Sequence, residues 1–126
     1  MPSDQHLPTS LPSPSWHEWI LWLLHRRKRV QVSGESMLPT LLPGDIVLVD
    51  TRAYRKTTPA IGEIVVAHHP YQKNLTIIKR IADITPEGRI VLHSDNPKGG
   101  TDSRSFGAIN SERIIGRVTS RSTIRQ

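Results

Sequence analysis

The hydrophobic positions along this chain change period once. Trp16, Trp19, Ile20, Leu23 and Leu24 recur at i, i+3, i+4, i+7 and i+8, the spacing of one helical face. Ser15 can cap that helix, and Glu18 at the third helical position can complete a capping box. From Val30 onward the pattern becomes short runs rich in β-branched residues, with apolar positions alternating at period two. These predict strands at 29–33, 46–50, 63–68, 75–84, 89–93 and 112–119. Pro43-Gly44-Asp45, Pro59 to Gly62, Pro86-Glu87-Gly88 and Asp95 to Gly100 supply the turns between them. Six short strands without an intervening helix predict an all-β domain, a coiled sheet or partly open barrel with one short N-terminal amphipathic helix.

This divides the chain into a tail at 1–15, a helix at 16–29 and a β domain at 30–126. The tail holds four prolines and four serines without apolar periodicity, and is expected to be disordered. It lacks the basic start of a secretory signal, and the apolar run comes too late. That run is also far short of the roughly 20 residues that span a bilayer. Arg26, Arg27, Lys28 and Arg29 follow it. The helix therefore has two readings. It packs on the domain, or it makes peripheral membrane contact, with tryptophans at the headgroups and the basic cluster on anionic lipid.

Composition narrows the chemistry. A chain of 126 residues suits one domain. Net charge is +6 and the pI about 10.3, which favours acidic partners. Three of the few aromatics are the helix tryptophans, so the β domain has little to stack on bases, and nucleic acid is not the expected partner. No cysteine is present, which excludes disulfides, Cys-ligated zinc and thiol catalysis.

The segment VSGESMLPTLLPGD at 32–45 places Ser36 between Glu35 and Met37. Gly34 permits conformations and close approaches denied to other residues. Two apolar residues beside a polar turn apex suggest that one of them packs inward. A serine hydroxyl is a weak nucleophile and needs a base. His6, His17 and His25 belong to the tail and helix, and His93 ends a strand. His68 and His69 are adjacent at a strand end, where side chains point to opposite faces and make a poor metal pair. Lys79 is the alternative. Leu75, Ile77, Lys79 and Ile81 share one strand face by period two, and that face is otherwise apolar. A lysine there is costly as a cation, so its pKa falls, and as a neutral amine it can take a serine proton. The bland alternative is a lysine reaching from an edge strand to water.

GESMLPTLLPGDIVLV, IIKRI and SDNPKGGTDSRSFG, in that order, resemble the type I signal peptidase family of Ser-Lys serine proteases across residues 32–118. The resemblance implies a signal-peptidase-like catalytic domain with Ser36 as nucleophile and Lys79 as general base. It implies that Gly34, Ser36, Met37 and Pro39 form the oxyanion and cleft region. Asp95, Asn96, Asp102, Ser103 and Arg104 would form the supporting loop, with Asp102 paired to Arg104 or Arg80. The family prefers small residues before the scissile bond, for which Met37 and Leu38 would line a shallow pocket. No metal or cofactor is implied.

The RAYR…AHHPY stretch and the DNP…TDSRSFG form of the last motif are more similar to the nickel-type superoxide dismutase maturation proteases. That implies a cytoplasmic enzyme removing the leader of the nickel superoxide dismutase precursor. Two departures stand out. Gly34 replaces a serine that many relatives use in the oxyanion hole, leaving the task to backbone N–H groups including that of Ser36. Gly100 replaces a serine that orients the lysine, and Thr101 or another hydroxyl would have to substitute. The alternatives are a general signal peptidase acting at the membrane, a self-cleaving repressor-type protease, which would lack the DN…DSR loop, and an inactive peptide-binding module.

Overall fold

The computed structural model describes residues 11–23, 26–98 and 102–123. The first ten residues of the expected tail, with His6, lie outside the described residues, as do Leu24, His25, Gly100 and Thr101. Helix α1 (Trp16–Leu23) precedes β1 (Lys28–Gln31), β2 (Ile46–Asp50), β3 (Ile64–His68), β4 (Thr76–Ile84) and β5 (Ile90–His93). A short helix α2 (Ser103–Phe106), a 3-10 turn at Ser111–Arg113 and β6 (Ile114–Ser122) complete the order. The six strands form one sheet, β1-β2-β6-β3-β4-β5, with every neighbouring pair antiparallel. β1 and β5 are its edges, so the sheet is open. The fold is the all-β, signal-peptidase-like arrangement with one short leading helix.

The central strand β3 is buried from both sides. Ile64, Val65, Val66 and Ala67 are all buried, as an unbroken apolar run suggests. Ile64 and Val66 join one core with Val47, Val49, Val118, Met37 and Leu41. Val65 and Ala67 join a second core with Ile81, Ile90, Leu92 and Ile109. Both faces of β3 are thus covered. Gly116 lets β2 approach β6: a Cβ there would lie 2.6 Å from the Asp50 carbonyl oxygen. β6 starts later than 112 because Asn110 caps the 3-10 turn, its side chain accepting from the Glu112 N–H. It runs on to Ser122 because pairing with β2 continues to Ile46.

The N-terminal segment differs from expectation in three ways. The helix stops at Leu23 rather than reaching 29, and Lys28 and Arg29 enter β1 opposite Val49 and Leu48. The ladder satisfies their backbone groups, and Arg27 pairs with Glu18 at 3.3 Å and Asp50 at 3.7 Å. The Ser15 hydroxyl does cap the helix, accepting from the Glu18 N–H at 3.3 Å. Glu18 does not close the capping box, however; its carboxylate takes the Thr119 hydroxyl on β6 and the Arg27 guanidinium. Leu11, expected in a loose tail, packs against the first core, and the Pro12 carbonyl accepts from the Arg121 N–H.

No residue of α1 is buried. Among the described residues, no helix is long and apolar enough to cross a membrane.

Candidate active site

The 32–45 excursion is a closed loop. Its base is tied by Val32 N–H to the Asp45 carbonyl at 2.8 Å and Gly44 N–H to the Val32 carbonyl at 2.9 Å. The buried Asp45 carboxylate accepts from the Leu42 N–H and the Thr123 hydroxyl. Inside the loop, Met37 and Leu41 are buried in the first core. Gly34 has φ +80, the left-handed region that favours glycine. The chain therefore turns at Gly34 and sinks at Met37, which leaves Ser36 on the rim between them.

Lys79 reaches that rim from β4. It pairs with Val65 of β3 and, despite its charge, is only 4% exposed. Its Nζ donates to Ser36 Oγ over 2.8 Å. Burial lowers its pKa from the ordinary lysine value, and the negative charge of Asp102 pulls part of the way back. The pair is therefore biased towards a neutral amine in contact with a hydroxyl. Such an amine can accept the hydroxyl proton as the oxygen attacks an electrophile.

A groove of about 340 Å³ opens beside the pair, between Val30–Met37 on one wall and Leu75–Lys79 on the other. β5 pairs with β4 only from Arg80 onward, and β1 pairs only with β2. Both walls thus present unpaired strand edges, which suits addition of an extended peptide. Met37 lines the groove. Pro39 is exposed and does not border it, and neither does Leu38. The turn at 36–40 carries these two past the groove mouth, and Leu75, Ile77 and Ile78 supply the apolar wall instead. None of His17, His68, His69 and His93 lines the groove. His69 is occupied elsewhere: its Nδ1 accepts from the N–H groups of Tyr71 and Gln72.

The loop after β5 braces both partners. Asn96 holds the Ser36 turn twice, its N–H donating to the Ser36 carbonyl at 2.8 Å and its Nδ2 to the Glu35 carbonyl at 3.0 Å. Asp95 takes two bonds from the Arg80 guanidinium, at 2.9 and 2.8 Å, and one from the Thr40 hydroxyl at 2.6 Å. Burial alone would raise the Asp95 pKa, but these bonds and the Arg80 charge outweigh it, so the pKa is lowered. Arg80 is thereby committed to Asp95, and Asp102 pairs with Arg104 at 2.6 Å. Asp102 also accepts from the Ser94 N–H and caps α2 through the Arg104 N–H. Burial again acts upward, but the Arg104 and backbone bonds hold its carboxyl well below the usual carboxylate range. The Ser103 hydroxyl accepts from the Leu92 N–H, anchoring α2 to β5.

Sequence reasoning missed Thr40. Its contact with Asp95 spans 55 positions, and no local pattern announces it. Gly100 and Thr101, where a lysine-orienting group was sought, lie outside the described residues.

The Peptidase S24-like family matches residues 25–119. A mitochondrial ATP-independent inner membrane protease subunit 1a of Arabidopsis thaliana is 30% identical over 125 residues, covering 78% of this chain and 74% of the relative. Mitochondrial inner membrane protease subunit 1 of Xenopus tropicalis is 30% identical over 105 residues, covering 68% and 63%. Signal peptidase I of Buchnera aphidicola (strain Bp) is 38% identical over 66 residues, covering 43% and 21%. The chain thus spans only part of the length of each relative. The matched span runs from just after α1 through β1–β5 and into β6 and contains the groove, and on that ground the chain belongs to the Peptidase S24-like family and is a serine peptidase of the signal peptidase type.

Proposed function

We propose that this chain is an endopeptidase that removes an N-terminal leader from a precursor protein through a Ser36–Lys79 dyad. The observation that carries the reading is the 2.8 Å contact between a lysine amine taken out of water and a hydroxyl at the groove rim. The substrate lies extended between the free edges of β1 and β4. Neutral Lys79 accepts the Ser36 proton as Oγ attacks the scissile carbonyl, and the Ser36 N–H stabilises the oxyanion. A Cβ at Gly34 would meet nothing within 4 Å, so the wall there is open to the substrate chain. The C–N bond breaks, and the leaving amine takes the proton back from Lys79. The amine of Lys79 then activates water to release the acyl group from Ser36.

The substrate proposed is the nickel-type superoxide dismutase precursor. Support comes from the sequence resemblance in the 52–71 stretch and the last motif. Co-expression with that precursor tests it: Ser36→Ala and Lys79→Ala each leave the leader attached. Full processing by either variant would sink the dyad.

A second reading, a signal peptidase acting on exported proteins at the membrane, is favoured by α1. Trp16, Trp19, Ile20, Trp22 and Leu23 are exposed there. Arg26, Arg52, Arg55 and Lys56 line a basin beside the helix, and among the described residues none of these side chains forms an ion pair with a carboxylate. Peripheral contact with anionic lipid fits both features. Cell fractionation separates the two. Soluble recovery supports a cytoplasmic maturation enzyme; tight membrane retention supports the signal peptidase.

A further inference from the structure

Ser94 has a buried hydroxyl with no assigned partner. The residue is 7% exposed, and among the described residues its Oγ makes no hydrogen bond. An unsatisfied buried hydroxyl is unfavourable and calls for a reason.

Its position supplies one. β4 and β5 pair antiparallel with Ile81 opposite Leu92 and Arg80 opposite His93. The ladder ends at that pair, and continuing its register by one step would set Ser94, the residue after β5, opposite Lys79. Directly opposed residues in an antiparallel pair send their side chains to the same face. Here that face is the second core, to which Ile81 and Leu92 both belong. Three contacts fix the surrounding backbone against the Ser36–Lys79 pair. Ser94 N–H is bound to Asp102, whose charge acts on Lys79. Asp95 is bound to Arg80, the residue after Lys79. Asn96 is bound to the Ser36 carbonyl. The segment 94–96 therefore runs alongside both reacting groups, with the Ser94 hydroxyl on the lysine side.

We infer that Ser94 is a positioning residue for Lys79. Rotation about its single χ1 lets Oγ accept an N–H of the Lys79 amine, which aims the nitrogen lone pair at Ser36. Among the described residues, the hydrogen-bond partner of the Lys79 amine is Ser36, which leaves its remaining N–H groups to such an acceptor. The inference rests on the dyad reading above.

The test uses p-nitrophenyl acetate as the probe, so it does not depend on knowing the native substrate. Acylation forms an ester at Ser36 Oγ and releases p-nitrophenolate, while the Ser36 proton passes to Lys79. The full chain is compared with Ser94→Ala by rate against pH, with mass spectrometry locating the acetyl group. Ser94→Ala should slow acylation about 10- to 100-fold with no loss in Tm. Its acid limb should also move to lower pH, because losing an acceptor disfavours the ammonium form. Restoration of the limb by Ser94→Thr supports the hydroxyl as the cause. A parental rate and limb in Ser94→Ala overturn the inference. So does a slower rate with the limb unmoved, which marks a structural role. If the parent is not acetylated at Ser36, or Lys79→Ala acylates normally, the dyad itself fails, a different result from failure of Ser94 alone.

Discussion

Helix α1 and strand β4 invert the usual relation between polarity and burial. α1 reads WHEWILWL and buries none of its residues; Trp16 is 74% exposed. β4 reads TIIKRIADI and buries its lysine at 4% exposure. Residue hydrophobicity alone would have ranked them the other way. The difference is one of partners. α1 touches the sheet through Glu18, which accepts from the Thr119 hydroxyl on β6, and its large apolar side chains are left exposed. β4 is held between β3 and β5, and its alternation drives every second side chain into the core, whatever its charge. On the proposed dyad reading, the expense of desolvating Lys79 is what would make it a usable base.

The largest effect expected from breaking this comparison is at Lys79. Lys79→Met should reduce peptide cleavage by about 10²–10⁴-fold, the usual contribution of a general base. The same change should leave Tm unchanged or raised, because an apolar side chain replaces a desolvated amine. Cleavage kinetics and calorimetry on one preparation check both. Loss of both activity and stability would mean that Lys79 is structural.

The pH response should follow the same logic. With its pKa lowered in the fold, Lys79 becomes neutral below the ordinary lysine range, so activity rises with pH through that lowered value. A profile flat from pH 6 to 9 would contradict a lysine base titrating in that window. Stability has the same sign. The unfolded chain holds the Lys79 proton to higher pH than the folded one, so stability grows as pH rises from the folded to the unfolded pKa. Asp95 and Asp102 act at the acid end. Their folded pKa values are lowered, so their contribution is present above the unfolded carboxylate value and is lost as pH falls through the folded ones. Acid titration followed by circular dichroism should show that loss beginning below about pH 4.

Asp95→Ala sharpens the comparison at middle scale. It removes three bonds and leaves Arg80 without its carboxylate partner, and should cost about 2–4 kcal/mol by denaturant unfolding. Trp19→Ser with Trp22→Ser is the smallest. Both rings are exposed, so stability should move by less than about 0.5 kcal/mol per site. Sedimentation with vesicles containing phosphatidylglycerol should nonetheless fall. A large drop in Tm would show that the rings pack after all.

Much of the fold could be read from periodicity. The alternation around Ile77, Lys79 and Ile81 and the run at Ile64 to Ala67 are local properties, and they place β4 and β3 almost to the residue. The end of α1 was not legible. WHEWILWLLHRRKR continues a helical pattern, and only the ladder offered by Val49 and Leu48 draws Lys28 and Arg29 into β1. Glu18 was likewise a plausible capping-box residue until Thr119, 101 positions away, claimed its carboxylate. At the site, Ser36 and Lys79 were named from motif and alternation. The Thr40–Asp95–Arg80 network and the clamp of Asn96 on Ser36 were not, because each joins segments far apart in the sequence that share no period.

By itself the amino-acid sequence determined the six strands, the apolar face on which Lys79 sits, and the turn that exposes Ser36. These follow from backbone geometry and side-chain alternation within a few residues. Tertiary structure decided the rest: the 2.8 Å approach of Lys79 to Ser36 across 43 positions, the commitment of Arg80 to Asp95 across 15 positions, and the exposure of the tryptophans on α1. Each of these depends on which surfaces meet in the folded sheet, where Lys79 lies opposite Val65 of β3 and is 4% exposed.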